Sequence, residues 1–438
     1  MKYPAAFIAA LALAAGSANA AEDAEPLPAN LDLKAAIGYA LDHSFAIRQA
    51  REVIRQQEGA VIQVRSQGIP NVGATGQYQK NDSSISQSYP AETSYWTVEL
   101  KATQTLYAGG GVRAAIESAK LTRDAAALDL QTAIDTALLD VRTKFYNVLL
   151  ARAKIGVEEE NVRLYEHQLE DTKNQFDAGT VSNFEVLRAK VYLANAQPNL
   201  ISARNSYRIA IEQLRQSLGV PAGVAFPQVQ GDLGVETQTF DADASVAAAH
   251  AHRPEIQKLD KLLQAADASL RVSKSGRYPN LQAFAAYQWD GFNFANSAYG
   301  NATSNGWLLG LQSSWAIFDG RATEGKVRQS KSALEQARLS KASEELEVDV
   351  EVRQALSSLQ EAGELVNASR STIDQAAEAL RLAESKYHAG SATQLDELTS
   401  QVSLSQAKTD QLTANYNYLV ALANVRKAIG LSDALVIP

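Results

Sequence analysis

Cysteine is absent from all 438 residues, which removes disulfides, thiolate metal sites, a cysteine nucleophile and an N-terminal lipid-bearing cysteine in one step. Proline is scarce at 11 and glycine moderate at 25, too few for a collagen-like or disordered chain. Positive charge is in deficit, with 41 Lys+Arg against 49 Asp+Glu and a net charge of −8. Nucleic-acid binding needs clustered surface cations, so this balance argues against a nucleic-acid partner. Past residue 20 no run of 18 uncharged apolar residues occurs, which excludes a helical inner-membrane protein. Any entry into a membrane must then be made by strands.

Catalytic constellations are missing as well. There is no nucleophile elbow, phosphate loop or metal-binding helix motif, so the sequence does not read as an enzyme and implies no cofactor. Of the five histidines only His250 and His252 are close in sequence. They stand beside Arg253-Pro254 at an expected helix start and read as ordinary surface residues, not as a metal site. Glu158-Glu159-Glu160 and Glu344-Glu345 read as solvated helix faces.

What is present begins with a leader. Lys2 gives a one-charge n-region, Ala5 to Ala15 an apolar stretch too short to span a bilayer, and Ala18-Asn19-Ala20 a small-x-small cleavage site, so residues 1–20 read as a secretory signal. The 418 residues that follow exceed one ordinary core.

They contain an internal duplication. His43, Ile47, Ser66, Pro70-Asn71 and Tyr78-Gln79 recur as His252, Ile256, Ser275, Pro279-Asn280 and Tyr287-Gln288, an offset of 209. Phe176-Asp177-Ala178-Gly179-Thr180 recurs as Tyr387-His388-Ala389-Gly390-Ser391, and Arg215 and Gly219 as Arg426 and Gly430, an offset of 211. The two extra residues fall between Gln79 and about Leu106, where Asn81 to Ser94 faces the longer Gly291 to Gly306, so these stretches are expected hairpin tips.

Each half has one order: helix (31–66 and 245–275), hairpin (70–107 and 279–318), then a helical hairpin (112–219 and 322–430). Segment 220–244, with Pro221 and Pro227, is expected to link the halves with short strands. From Val112 to Asp177 there is no proline, and Ile134, Leu138, Val141, Phe145 and Val148 keep the 4-3-4-3 spacing of a coiled coil; Ile373, Ala377, Leu380 and Tyr387 repeat it. Such helices reach about 100 Å at ~1.5 Å per residue. The seam resumes after each glycine turn, at Phe184, Leu187, Val191 and Ala194 and at Leu395, Leu398, Val402, Leu412, Tyr416 and Leu419, with Pro198 an expected kink.

Period-two alternation marks four strands: Val72 to Tyr78, Trp96 to Leu106, Leu281 to Asp290 and Trp307 to Ile317. Aromatic residues sit toward their ends, as interfacial girdles do. Alternation alone does not name the solvent, and a soluble sandwich on a core competes. Isolation of the strands as two hairpins favours lipid. Four strands cannot close a barrel, and twelve, from three copies, leave a lumen that eight do not.

Taken together these features resemble the TolC-like outer membrane factors, the outer membrane efflux proteins of tripartite pumps and type I secretion systems. The duplicated plan carries the likeness, with the junctions Leu106-Tyr107-Ala108-Gly109-Gly110 and Ile317-Phe318-Asp319-Gly320 and the aromatic-x-Ala-Gly turns at Phe176 and Tyr387. The resemblance implies a mainly α fold with a small β part: a homotrimer with an α-helical barrel through the periplasm and a 12-stranded transmembrane β-barrel in the outer membrane, four strands per protomer. It implies a periplasmic adaptor as partner, and an RND or ABC transporter in the inner membrane. By the same likeness Ala178, Gly179, Thr180, Ala389, Gly390 and Ser391 form the adaptor-contact tip. Glu185, Tyr387, Asp396 and Thr399 match gate positions, and Trp96, Tyr287, Trp289, Trp307 and Trp315 face the membrane. Two positions depart from the family pattern: Thr399 stands where a second carboxylate is usual, and Ala392 where a basic residue is. Ser182-x-x-Glu185 and Thr393-x-x-Asp396 are also capping boxes, so each carboxylate has a capping reading beside the gating one. The competing function is a soluble periplasmic coiled-coil scaffold or adaptor, which would need no paired alternating strands.

Overall fold

The computed structural model describes residues 30–82, 84, 92–294 and 301–431. The expected signal segment 1–20 and most of both hairpin tips lie outside the described residues. Helix α1 (Leu33–His43) and α2 (Phe45–Arg65) precede strands β2 (Asn71–Lys80) and β3 (Glu92–Ala108), and then come α3 (Gly111–Asp177) and α4 (Asn183–Leu218). The second half repeats this with α5 (Ala242–His252), α6 (Pro254–Ser275), β5 (Asn280–Phe294), β6 (Asn301–Ser314), α7 (Ala322–His388) and α8 (Gln394–Ile429). Two-residue strands β1 (Asn30–Leu31) and β4 (Gln228–Val229) pair in parallel, joining the segment just before α1 to the inter-repeat segment.

Each leading helix is split, contrary to the single helix expected. Ser44 and Arg253, both buried, break them, so His250 and His252 close α5 and do not open a helix; Pro254 opens α6 at its first turn, where a missing N–H costs nothing. The duplication extends to the caps: Asp32 accepts the Ala35 N–H at 2.7 Å, and its counterpart Asp241 accepts that of Ala244 at 2.7 Å.

The long helices α3 and α7 have 67 residues each. Their middle thirds carry the two cores. In the first, Val141, Phe145 and Val148 of α3 pack with Leu214 and Leu218 of α4, all at most 2% exposed. In the second, Val352, Leu359, Val425 and Ile429 hold the same places at an offset of 211. Tyr418, 1% exposed, accepts the Gln238 N–H at 2.7 Å and ties α8 to the linker.

The seams of the return helices do not pack wholly as expected: on α8, Leu395 and Val402 are exposed while Leu398 is buried. Phe184, Leu187, Val191 and Ala194 of α4 are exposed, and Val186, Ala189 and Ala196 face α3 in their place. The 4-3 spacing is present on α4, but no surface among the described residues receives it. In α7, too, Ala377 is exposed while Val348, Val352, Leu359, Ala362 and Val366 form the buried stripe. Pro198 lies inside an uninterrupted α4.

The four long strands form one antiparallel sheet in the order β2-β3-β5-β6. Its register gathers the apolar sets on one face: Tyr78 pairs with Trp96, Val98 with Trp289, Leu100 with Tyr287, Tyr287 with Trp307 and Ala285 with Leu309. The opposite face carries Thr75, Glu99, Gln288 and Thr97 beside Asp290. Strand β6 ends at Ser314, so Trp315 and Ile317 lie beyond it, and Trp315 Nε1 donates to the Arg277 carbonyl at 3.2 Å.

Helices continue the sheet's lateral order. Beneath β2-β3-β5-β6 run α2, α3, α6 and α7, each packed on the next, and farther down the order is α4, α3, α8, α7. The protomer is a ribbon four elements wide. Strands β2 and β6 each have a single strand partner among the described residues, and α2 and α7 stand below them.

Candidate functional site

The far end of the ribbon from the sheet is made of two turns. At the first, Gly179 has φ +75°, its N–H donates to the Phe176 carbonyl at 2.8 Å, and the Thr180 N–H donates to the Gln175 carbonyl at 2.9 Å. At the second, Gly390 has φ +73°, with Gly390 N–H to Tyr387 at 2.9 Å and Ser391 N–H to Lys386 at 2.8 Å. Both are Schellman turns, which need a left-handed residue after the helix and so favour glycine. Hydroxyls of Thr180 and Ser391 add bonds to the same carbonyls. Ala178, Gly179, Thr180, Ala389, Gly390 and Ser391 are all exposed.

Beyond the turns the two repeats diverge. Thr393 and Asp396 form a full capping box: the Thr393 N–H and hydroxyl donate to Asp396 Oδ2 at 2.8 and 2.7 Å, and the Asp396 N–H returns to Thr393 Oγ1 at 3.3 Å. These Thr393 hydrogen bonds hold the Asp396 carboxyl below the usual aspartate range, with Lys386 contributing. The equivalent box at Ser182 does not form, because Ser182 makes no side-chain cap bond. Glu185 instead pairs with Arg188, three residues on. The repeat counterpart of Arg188 is Thr399, which has no charge to offer and only donates to the Leu395 carbonyl at 2.8 Å within its own helix.

Arg188 also crosses between the repeats. Its Nη2 donates to Gln394 Oε1 at 3.0 Å, Gln394 Nε2 donates to Thr172 Oγ1 at 2.9 Å, and Thr172 donates to the Gln168 carbonyl at 2.7 Å. Gln394 and Thr172 are 6% and 3% exposed, so the chain of bonds is shielded from water where it passes from α8 to α3. Tyr387 reaches across the turns to Gln175 Oε1 at 3.4 Å. Thr172, Glu185, Arg188, Tyr387 and Gln394 line a cleft of 460 Å³ with Val181 and Leu395.

The structure thus places Glu185 and Tyr387 on this cleft, while Asp396 caps α8 and Thr399 sits one turn along it. Sequence reasoning passed over Arg188, Gln394 and Thr172. A signal existed in the Glu185-x-x-Arg188 spacing, which is that of a helical ion pair; Gln394 and Thr172 are polar residues whose burial only the packing shows. Among the described residues no cluster of three metal-ligating side chains exists, and no helix is long and apolar enough to cross a membrane. His250 Nε2 lies 2.6 Å from Asp349 Oδ1 at the surface.

Known proteins were compared with this chain. A family profile described as outer membrane efflux protein matches twice, at residues 36–220 and 246–431, once for each repeat. Nodulation protein T of Rhizobium leguminosarum bv. trifolii is 26% identical over 398 residues, which cover 89% of this chain and 83% of that one. Outer membrane protein TolC of Escherichia coli K12 is 27% identical over 320 residues, 68% of this chain and 62% of that protein. Among solved structures, CusC superposes with a TM-score of 0.80 at 17% identity, covering 92% and 93% of the two chains. VceC of Vibrio cholerae gives 0.76 at 18%, covering 91% and 96%. The chain belongs to the outer membrane efflux protein family and is an outer membrane exit channel for efflux or secretion that extends into the periplasm.

Proposed function

We propose that three copies of this chain close into one tunnel that serves as the exit duct of a tripartite efflux pump or a type I secretion system. The observation that carries the reading is the shared lateral order of sheet and helices, which leaves β2 and α2 open on one side and β6 and α7 on the other. An open sheet with exposed edges and an apolar face cannot stand in lipid, since its edge N–H and C=O groups would go unpaired. Joining β6 of one copy to β2 of the next removes both edges. Three copies supply 12 strands and a lumen, whereas two would fill their own interior.

In this assembly Trp96, Tyr287, Trp289, Trp307 and Trp315 face lipid, and the face bearing Glu99 and Gln288 lines the bore. The exposed turns at Gly179 and Gly390 dock a periplasmic adaptor, which couples the duct to an RND or ABC transporter in the inner membrane. Relatives named for alkaline protease secretion and for pyoverdine export are consistent with either kind of pump. Glu185 and Tyr387 form the closing contacts at the tip, with Arg188 and Gln394 in the place of a link made through a basic residue at position 392. Asp396 acts mainly as the cap of α8 and adds charge to the mouth, and Thr399 adds none.

Because the chain has no cysteine, a cysteine placed in β2 and another in β6 report only on each other. Oxidation in native membranes is expected to give a ladder that ends at three chains, and the purified product to conduct in planar bilayers. A ladder ending at two, or a non-conducting product, would overturn the reading. Photo-cross-linking from Thr180 and Ser391 then identifies the adaptor.

A further inference from the structure

The chain is acidic overall, yet its charge is sharply sorted along the ribbon. Segments 61–68, 109–122, 271–278 and 315–331, where the strands meet the helices, hold ten Lys+Arg and three Asp+Glu. At the other end of the sheet, the described residues of segments 80–94 and 290–305 hold one Lys and three Asp+Glu.

All three junction carboxylates are already committed. Glu117 takes a two-pronged bond from Arg271 at 2.7 and 2.9 Å, Glu324 binds Arg321 and Arg328, and Asp319 Oδ2 accepts the Thr323 N–H at 2.7 Å. Seven cations are left. Arg113 and Lys120 on α3, Lys274 and Arg277 at and just past the end of α6, and Lys326 and Lys331 on α7 are exposed and make no salt bridge among the described residues, though Arg277 is near enough to Glu324 to act on it; Arg65 ends α2 exposed and without a salt bridge as well. Arg321 is the one non-glycine residue with positive φ among the described residues, at +71°, where the first repeat has Gly110 at +79°. The chain accepts backbone strain there to carry a cation.

Arg113 and Lys120 lie on the lipid side. Tyr107 pairs with Leu281, which shares a sheet face with Ala283, Leu311 and Trp307, and Tyr107 lines one cleft with Arg113, Glu117 and Lys120. The repeat carries the same helix face to Glu324, Arg328 and Lys331. Exposed aromatics complete the belt: Tyr107, Tyr278, Trp315 and Phe318. Aromatic rings at headgroup depth with cations just below them make the chemistry that recognises anionic phospholipid.

We propose that this junction is a collar that binds anionic phospholipid headgroups in the periplasmic leaflet of the outer membrane, fixing the depth of the barrel. It rests on the sheet spanning that membrane. Each unpaired cation next to a headgroup phosphate favours an anionic over a zwitterionic lipid by roughly fivefold.

Trp315 reports on the site. The full chain carrying Trp96→Phe, Trp289→Phe and Trp307→Phe is placed in phosphatidylcholine vesicles that contain either brominated phosphatidylglycerol or brominated phosphatidylcholine. Half-quenching is expected at a roughly fivefold lower mole fraction of the glycerol lipid, and the difference is expected to vanish when Arg113, Lys120, Arg277 and Lys331 are all changed to Gln. Should that variant fail to insert, raising the salt to about 1 M on the parent serves instead, because a Debye length near 3 Å screens the contact. Equal quenching by the two lipids in the parent, or a preference that neither salt nor substitution reduces, overturns the proposal. So does displacement of the lipid preference by soluble polyglutamate at low salt, which would assign the collar to an acidic protein. Cysteine cross-linking of β2 to β6 in the same vesicles reads the trimer separately, so either idea can fail alone.

Discussion

The exposed seam on α4 makes the sharpest demand on the assembly. Phe184, Leu187, Val191, Ile201 and Ile209 are between 49% and 68% exposed in the protomer. Full burial of such a side chain is worth about 1.5–3 kcal/mol, so covering the exposed half yields about 1 kcal/mol each, about 5 per contact and about 15 for a closed ring of three. Replacing Leu187 and Ile201 together by Asp removes about 2 kcal/mol of this and forces two unpaired carboxylates out of water, a loss of at least about 4 kcal/mol per contact, or roughly a thousandfold each. In the isolated protomer the same changes sit at the surface and cost under about 1 kcal/mol, mostly helix propensity. The doubly substituted chain is therefore expected to keep its far-UV circular dichroism and to elute in detergent at the mass of one copy. Leu214→Asp, at a position that is 0% exposed in the first core, is the contrast: it should unfold that core with or without partners. If the α4 variant elutes as the parent oligomer with an unchanged melting midpoint, the seam is not an interface and the lateral closure inferred from it is wrong.

Three further outcomes concern the tip and the glycine that ends α4. Arg188→Ala cuts the Glu185–Arg188–Gln394 path and leaves Gln394 buried without its donor, so single-channel conductance should rise; Thr399→Ala, which removes an exposed hydroxyl bonded to its own helix, should leave conductance at the parent value. Asp396 has a lowered folded-state pKa, so its contribution to stability is present at neutral pH and is lost as pH falls through that lowered value, below the ordinary aspartate range; hydrogen exchange of the first turn of α8 should quicken there, and Asp396→Ala should abolish the pH step. Gly179→Ala meets no atom within 4 Å and should cost only the left-handed backbone penalty of about 1–2 kcal/mol, whereas Gly219→Ala drives its Cβ to 2.5 Å from the His43 carbonyl oxygen and should destabilise the chain by clearly more, both read by chemical denaturation.

Much of the fold was legible because the duplication states it twice. The 4-3 spacing in α3 and the period of two in β3 are local signals, and Val141, Phe145 and Val148 are buried where their spacing puts them. What was not legible depends on the neighbour. Leu187 and Val191 have the same spacing as a packed seam, and spacing does not say whether the receiving surface belongs to the same chain. Trp315 continues the alternation of β6 but lies past the last ladder pair, Asn280 with Ser314, since hydrogen-bond register depends on where β5 begins. Ser182 and Thr393 are equivalent in sequence, yet only Thr393 caps.

That last difference explains how a duplicated chain acquires a directional tip. The turns at Gly179 and Gly390 are the same to within a few degrees of φ, so the two hairpins reverse in the same way. The carboxylates behind them are equally placed, but one has an arginine three residues on and the other a threonine. Glu185 therefore turns along α4 to Arg188, which also donates from Nη2 to Gln394 of the other repeat, while Asp396 turns back to the N-terminus of its own helix. Exchanging the two residues by Arg188→Thr with Thr399→Arg moves the cation to α8, where the neighbour of Asp396 would become Arg and the capping box would have to compete with an ion pair. The expected result is loss of the Gln394 link without a new one to position 183, because that residue is Asn and its helix face at the turn is exposed. Conductance of the exchanged chain should then match that of Arg188→Ala and not that of the parent; recovery of the parent value would mean that charge at the mouth, and not the path from α4 to α8, sets the closed state.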